Sequence, residues 1–252
     1  MQQQEERDEH DNREDHDDGL RGRLVRAGVE LVDAEGAQAL SLREIARRAG
    51  VSHGAPRRYF PTHLDLLSAI ARQGFAELAD RLAEEDREEA GARERIAILA
   101  RVYLAYAGTR RGMYELMFRH DLLESGRLGL RETSLPLFAH LTELVDRATK
   151  SGREAVTATG RDAATNTGRE AATATGRDAA TKSGRDVATA TGPTAGPSAD
   201  AVLRAGALWA NLHGIAQLWH WGSLGLATGG TDPAPLLAAA LDAHLGPAEV
   251  TP

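Results

Sequence analysis

Residues 41–67 of the chain read SLREIARRAGVSHGAPRRYFPTHLDLL. Ser41 precedes Glu44 by three residues, which is the spacing of a capping box, where each side chain binds a free backbone N–H at a helix start. Gly50 ends that helix, because glycine adopts the left-handed conformation of a helix terminus at little cost. Ser52 predicts the start of a second helix, and Pro61 keeps it short. Two short helices joined by a glycine-containing turn indicate a helix-turn-helix, whose second helix would enter a DNA major groove.

This stretch resembles the DNA-binding domain of the TetR family of transcriptional regulators. The similarity covers residues 20–67 and lies at Leu42, Ile45, Ala46, Ala49, Gly50, Val51, Ser52, Gly54, Tyr59, Phe60, Leu66 and Leu67. The resemblance implies an all-α protein, with a three-helix helix-turn-helix domain at residues 19–67 and a helical ligand-binding and dimerisation domain at residues 68–252. Apolar patterns of helical period, without any strand pattern, agree with this fold class.

Charge is distributed unevenly along the chain, whose formal net charge is −7. Residues 1–18 contain nine acidic residues and two arginines, a net charge of −7, and they offer nothing to bury, so we predict a disordered tail. Residues 20–67 contain eight arginines and five acidic residues, a net charge of +3, as contact with phosphate requires. The tail is interpreted as a solubilising segment; the alternative is that it competes with phosphate for the neighbouring arginines.

The resemblance implies a set of DNA-binding residues in and around the second short helix: Ser41, Arg43, Ser52, His53, Gly54, Ala55, Arg57, Tyr59 and His63. Arg57 and His63 depart from the family, which commonly has an aromatic residue at the first position and a lysine at the second. The Arg57 guanidinium is suited to a bidentate bond with guanine or to a phosphate. Neutral histidine is a weaker phosphate anchor than lysine, so the His63 contact is expected to depend on pH. Arg21 and Arg23 are either further phosphate contacts or ordinary surface charges.

An internal repeat places a glycine at every eighth position from Gly152 to Gly192. Eight residues advance a helix by about 80° beyond whole turns, so no helix face recurs. The units offer alanine and threonine rather than large apolar side chains, and burial therefore cannot offset the entropy lost on ordering. We predict a low-complexity linker at residues 149–199 that interrupts the regulatory domain, and the rival interpretation is a solenoid.

Residues 200–226 predict a helix that is buried on more than one side. One face presents Leu208, Leu212, Ile215 and Trp219, and the adjacent face presents Trp209, His213, Ala216 and His220. Trp209, His213 and Gly214 resemble a TetR subgroup with a Trp-His-Gly signature. In the family the last two helices pack against the same two helices of a second subunit, so the resemblance implies a homodimer.

Trp209, His213 and Tyr103 are the candidate ligand-binding residues. The alternative for His213 is a satisfied core residue, which is the commoner role of a histidine on an apolar helix face. His213 and His220 lie seven positions apart without further ligands, so no metal site is expected. No cofactor is expected either.

Composition and motifs limit the class of protein. The absence of cysteine excludes disulfides and thiolate metal ligands and is compatible with a cytoplasmic location. The chain begins without an apolar run, and its apolar stretches are too short to span a bilayer, so we expect a soluble protein without a signal peptide. No His-Glu-x-x-His, phosphate-loop or nucleophile-elbow motif is present, and an enzyme is therefore not expected.

These patterns together predict a homodimeric transcriptional regulator that binds double-stranded DNA. The favoured interpretation is a repressor that leaves a palindromic operator when a small-molecule effector binds the C-terminal domain. The alternative is a ligand-independent DNA-binding or architectural protein, which would show no effector response.

Overall fold

The computed structural model describes residues 2–119, 129–170 and 196–247. Over those residues the regular structure is helical and contains no strand, which confirms the all-α prediction. The helices are α1 (Gln2–Glu35), α2 (Leu42–Arg48), α3 (Pro56–Tyr59), α4 (His63–Glu85), α5 (Ala92–Thr109), α6 (Arg111–Met117), α7 (Leu130–Glu170), α8 (Ala199–His220), α9 (Ser223–Thr228) and α10 (Ala234–Leu245). A single 3-10 turn, Ala37–Ala39, lies between α1 and α2.

The first helix begins earlier than the sequence predicts. We predicted disorder for residues 1–18, whereas α1 includes that segment from Gln2 onward. Glutamine, glutamate and arginine have high intrinsic helix propensity, and acidic residues near a helix N-terminus interact favourably with the helix dipole. These local preferences favour helix without requiring a buried face.

The seventh helix likewise extends into the predicted linker. It ends at Glu170, so residues 149–170 are helical, whereas residues 171–195 lie outside the described residues. Alanine, arginine and glutamate in this segment favour helix. The residues near the two ends of the predicted linker, Asp146 and Ser198, are in contact. The Asp146 carboxylate accepts hydrogen bonds from the Ser198 backbone N–H (3.3 Å) and hydroxyl (2.9 Å). Ser198 is the N-cap of α8, so this contact joins the start of α8 to α7.

One hydrophobic core connects the N-terminal helices with the C-terminal ones. Leu24 and Leu31 of α1, Ile70 of α4, Ile96 of α5 and Leu208 of α8 are all fully buried within it. Each such side chain contributes roughly 1.5–3 kcal/mol by its removal from water. A close-packed core transmits displacement between its parts, so the helix-turn-helix and the regulatory helices are mechanically connected.

The predicted helix over residues 200–226 is divided in two. Gly222 has φ 75°, in the left-handed region that glycine adopts readily, and it separates α8 from α9. The last helix, by contrast, is continuous over residues 234–245. No helix within the described ranges combines the length and the apolar character needed to cross a membrane.

Candidate nucleic-acid interface and ligand site

The start of α2 forms half of the predicted capping box. The Ser41 hydroxyl accepts a hydrogen bond from the Glu44 backbone N–H at 3.2 Å. The Glu44 carboxylate does not return to Ser41 and instead accepts hydrogen bonds from Arg47 (2.5 and 2.9 Å) and Arg48 (3.0 Å). Hydrogen bonds from Arg47 first, and then from Arg48, lower the pKa of Glu44 to about 2. Arg48 also pairs with Glu35 of α1, so these two arginines stabilise the domain rather than project freely.

The turn after α2 confirms the role predicted for Gly50. Its φ is 69°, and its N–H donates to the Arg47 carbonyl at 3.2 Å. The Val51 N–H donates to the Ala46 carbonyl at 3.0 Å, which completes a Schellman motif. Glycine at this position lets the chain leave α2 and turn into the next helix.

The second short helix begins later than predicted. We predicted a cap at Ser52, but α3 starts at Pro56, its N-cap is Ala55, and no side chain caps it. The Ala55 N–H donates instead to the Ser52 carbonyl at 3.0 Å, so a backbone turn leads into the helix. Proline fixes φ and needs no N–H partner at the first helical position, which explains why the helix begins there.

Most of the predicted DNA-binding side chains face solvent. Ser41, Arg43, Ser52, His53, Gly54, Arg57 and His63 are exposed, whereas Ala55 and Tyr59 are half-buried. Arg43 and Arg57 form no hydrogen bond or ion pair within the described residues, and neither does Arg58, an exposed neighbour that was not predicted from the sequence as a DNA contact. These three guanidinium groups are available to phosphate or base edges.

The two arginines near the N-terminal side of the domain have protein partners. The Arg21 guanidinium lies over the Phe60 ring at 5.6 Å. Arg23 donates to the Ala49 carbonyl at 3.3 Å, at the end of α2. Both therefore hold the helix-turn-helix together, whatever contact they also make with phosphate.

The start of α4 has a complete capping box that the sequence analysis missed. The Thr62 hydroxyl accepts from the Asp65 N–H at 3.1 Å, and the Asp65 carboxylate accepts from the Thr62 N–H at 2.8 Å. The signal is the Thr-x-x-Asp spacing, in which aspartate replaces the usual glutamate. This cap fixes the exposed His63 as the first residue of α4.

Two of the candidate ligand residues, Tyr103 and His213, lie within hydrogen-bond distance of each other and of a third residue, Tyr114. The Tyr103 hydroxyl lies 3.0 Å from His213 Nδ1 and 3.0 Å from the Tyr114 hydroxyl, which itself lies 2.6 Å from the same nitrogen. We call Tyr103, Tyr114 and His213 the triad. It joins α5, α6 and α8, and only two of its members, Tyr103 and His213, were predicted from the sequence.

Aromatic rings surround the triad. Phe118 lies between 4.9 and 6.4 Å, centroid to centroid, from Tyr103, Tyr114, His213, Trp209 and Phe75. Trp209 lies 5.8 Å from His213, and 38% of its surface is exposed. The triad therefore lies within an aromatic cluster, and Trp209 forms its solvent-exposed edge.

Comparison with known protein families agrees with both parts of this structure. Residues 24–70 match the family described as bacterial regulatory proteins, tetR family. Residues 96–244, more than half of the chain, match the tetracyclin repressor-like C-terminal domain. The chain belongs to the TetR family.

Individual relatives show how far this similarity extends. The fatty acid metabolism regulator protein of Bacillus subtilis is 25% identical over 123 residues, which cover 48% of this chain and 58% of that protein. The chain thus spans less than two thirds of this relative. A solved structure from Rhodococcus sp. RHA1 is similar with TM-score 0.55 and 26% identity, over 90% of this chain and 93% of that one. The regulator FadR from Bacillus subtilis, solved in complex with stearoyl-CoA, shares the fold at TM-score 0.54 and 15% identity, over 89% and 97%.

The triad of this TetR-family chain is uncharged near neutral pH. Burial first, and then the neighbouring Tyr114, raise the pKa of Tyr103, and burial raises the pKa of Tyr114, so both hydroxyls keep their protons. Burial also lowers the pKa of His213. In the neutral tautomer that carries its proton on Nε2, the imidazole offers one lone pair at Nδ1, and this lone pair is satisfied when Tyr114 donates to it and Tyr103 donates to the Tyr114 oxygen.

The described cavities do not coincide with the triad. A cleft of about 520 Å³ lies between the end of α4 and the outer side of α5, where Arg81, Arg87 and Arg101 are among its lining residues. A second cavity of about 50 Å³ lies beside Trp219 and His220. Neither cavity is lined by a side chain of the triad. Across the described ranges, no three histidine, aspartate or glutamate side chains are grouped so that they could bind a metal ion.

Proposed function

We propose that the protein is a homodimeric, ligand-responsive transcriptional repressor that acts in the cytoplasm. It binds a palindromic operator through α3 and the turn before it, and it is released when a small-molecule effector binds at the triad and Trp209. The exposed and unengaged guanidinium groups of Arg43 and Arg57, within the segment that matches the family's N-terminal domain, carry the DNA-binding part of this proposal. The absence of enzymatic activity is also part of the proposal and is supported by the family alone.

An exposed apolar face on α8 supports the homodimer. Leu203 is 74% exposed, and Trp221, the C-cap residue directly after α8, is 64% exposed; Ala207, Ala210 and Gly214 lie between them at helical spacing. An added Cβ at Gly214 would meet no atom within 4 Å. Small residues let a second helix approach closely, so a second copy of the chain would cover this face. Membership of the Trp-His-Gly subgroup is part of the same proposal.

The chemistry of the triad supports an effector with an apolar body and a hydrogen-bonding group. Its neutral hydroxyls and imidazole provide no charge to neutralise an ionic ligand, whereas the surrounding rings favour apolar contact. The Bacillus subtilis relative is named as a regulator of fatty acid metabolism, so long-chain acyl compounds with an uncharged polar end, such as fatty alcohols and methyl esters, are the first to test, and free fatty acids and acyl-CoA thioesters serve as charged comparisons. The alternative is a ligand-independent DNA-binding protein, which the self-satisfied hydrogen bonds of the triad favour.

Selection of duplexes from a random DNA library tests the DNA-binding part. We expect the protein to be a dimer by light scattering and to enrich sequences with two-fold symmetry. Arg57→Ala and Tyr59→Ala should weaken binding to the enriched duplex by roughly 5- to 150-fold, the range of 1–3 kcal/mol. Arg101→Ala is the matched control, because Arg101 is exposed on α5, away from the helix-turn-helix. A monomeric protein, or wild-type affinity in both interface variants, would refute the proposal.

A thermal-shift screen with and without the enriched duplex tests the effector part. A true effector raises the midpoint of the free protein and lowers its affinity for the duplex, since it can shift the equilibrium only by preferring the DNA-free state. Tyr114→Phe and Trp209→Ala should reduce that response. If no fatty acid, acyl-CoA or other screened compound changes DNA affinity, the result contradicts the effector part of the proposal and favours the ligand-independent alternative.

A further inference from the structure

Arg110 joins three helices at the corner between α5 and α6. Its Nε and Nη2 atoms donate to Glu77 Oε2 of α4 at 3.1 and 2.8 Å. Its Nη1 atom donates to the Asp33 carboxylate of α1. Only 21% of the Arg110 side chain is exposed, so these ion pairs are partly shielded from water.

The electrostatics of this contact favour the ionised pair. Burial opposes the charge on Arg110, but the hydrogen bonds that Arg110 donates to Glu77 and then to Asp33 outweigh it and raise the pKa of Arg110. Glu77 also accepts from Arg81 at 2.6 Å. The result is a row of alternating charges, Arg81–Glu77–Arg110–Asp33, that ends on α1.

Close backbone packing holds the same corner against α1. A Cβ atom added at Gly112 would lie 2.4 Å from the Val32 carbonyl oxygen and 3.1 Å from the Gly36 Cα. Real Cβ atoms do not approach backbone so closely, and only glycine permits this contact. The Val32 backbone and the Asp33 side chain are adjacent in α1, so packing and ion pairing act on the same turn.

We infer that Arg110 is a positioning residue, by which the regulatory domain fixes the orientation of α1 and hence of the helix-turn-helix. The inference rests on the proposed function, because orientation matters for DNA binding only if two copies must match two half-sites. In this arrangement Arg110 keeps two carboxylates from different helices next to one cation. Without it, Asp33 and Glu77 would face each other as like charges, which favours separation of α1 from α4.

Arg110→Gln removes the charge and leaves the corner backbone unchanged. Arg110→Lys keeps the charge but loses the planar fork that binds two carboxylates, so it should give an intermediate effect. Asp33→Asn combined with Arg110→Gln removes one of the two like charges and should restore much of the wild-type geometry. Arg101→Gln, in the adjoining helix α5 and without a partner in the described part of the chain, is the control.

Spin labels measure the geometry within one protomer, without DNA. The chain has no cysteine, so Gln38→Cys beside α1 and Glu94→Cys on α5, both exposed positions, give one defined distance. Labelled chains are diluted with unlabelled ones to exclude distances between protomers. We expect Arg110→Gln to shift or broaden the distribution of distances between the two labels. Adding Asp33→Asn to Arg110→Gln should reverse that change. Unchanged distributions in Arg110→Gln would overturn the inference.

Preferred half-site spacing provides the functional measurement. We expect Arg110→Gln to bind the wild-type duplex at least roughly fivefold more weakly and to select a different or broader spacing. A role in stability alone would lower the unfolding midpoint and leave the preferred spacing unchanged. If the wild-type protein selects no symmetric DNA, the proposed function fails, whereas the distance measurement still decides whether Arg110 positions α1.

Discussion

The triad predicts a pattern of non-additive stability effects. In the structure, each hydroxyl of Tyr103 and Tyr114 lies within hydrogen-bond distance of His213 Nδ1, at 3.0 and 2.6 Å. Tyr103→Phe leaves the Tyr114 bond to the imidazole in place, and Tyr114→Phe lets Tyr103 donate directly to it. Each single change therefore removes one hydrogen bond and should lower the free energy of unfolding by about 0.5–1.5 kcal/mol.

The double change Tyr103→Phe with Tyr114→Phe leaves Nδ1 of His213 without either partner. An unsatisfied buried polar atom costs about 1–3 kcal/mol, in addition to the bonds lost. We therefore expect the double variant to exceed the sum of the single variants by at least about 1 kcal/mol. For a chain of this size, 1 kcal/mol corresponds to roughly 2–4 °C in the unfolding midpoint.

Chemical denaturation of the wild type and the three variants measures this coupling. All four proteins are compared at one protein concentration, because the stability of a dimer depends on it. Tyr106→Phe combined with Tyr114→Phe is the control pair, since Tyr106 donates to the Gly74 carbonyl and shares no hydrogen-bond partner with the triad. The reasoning is refuted if the double triad variant costs no more than the sum of its single changes.

Three further predictions concern pH, helix capping and DNA contact. Burial lowers the pKa of His213, so the unfolded chain takes up a proton at higher pH than the folded protein does. The free energy of unfolding should therefore decrease as the pH falls from about 6.5, the ordinary histidine pKa, to the lowered pKa of His213. His213→Gln should remove this decrease from a plot of stability against pH. Ser41→Ala should cost about 1 kcal/mol in denaturation, and Thr62→Ala at least as much, because the Thr62 hydroxyl both accepts from the Asp65 N–H and donates to the Asp65 carboxylate. His63→Lys should raise affinity for the selected duplex and steepen the slope of log affinity against log salt by about 0.9, the contribution of one phosphate contact.

The helix-turn-helix was predictable because local signals determine it. Gly50 takes its left-handed conformation, and the chain after it turns back on α2 as the sequence indicates. Ser52 was assigned the wrong role because backbone hydrogen bonds close the turn and Pro56 sets the helix start. A polar residue after a glycine does not show whether its side chain caps the next helix or whether a backbone turn comes first.

The contacts that were missed join residues far apart in sequence. Tyr114 and His213 are separated by 99 positions, and Arg110 and Asp33 by 77. Tyr114 is visible in the sequence as one aromatic residue in a short apolar helix, a pattern that fits ordinary core packing equally well. Only the packing of α5, α6 and α8 selects its hydroxyl as a partner of the imidazole.

The short helix α6 places the candidate sensor beside the candidate positioning residue. The Tyr114 N–H donates to the Arg110 carbonyl at 2.8 Å, so the two residues are one helical turn apart. An effector that takes the place of Tyr114 at His213 acts on the same rigid turn that presses Gly112 against α1. The Val32 carbonyl of α1 is already in contact with Gly112. If this turn of α6 moves by a few tenths of an ångström, no free space absorbs the movement, and α1 has to move as well. Coupling between ligand and DNA therefore requires no long path through the protein, and its size is limited by the difference in effector affinity between the two orientations of α1.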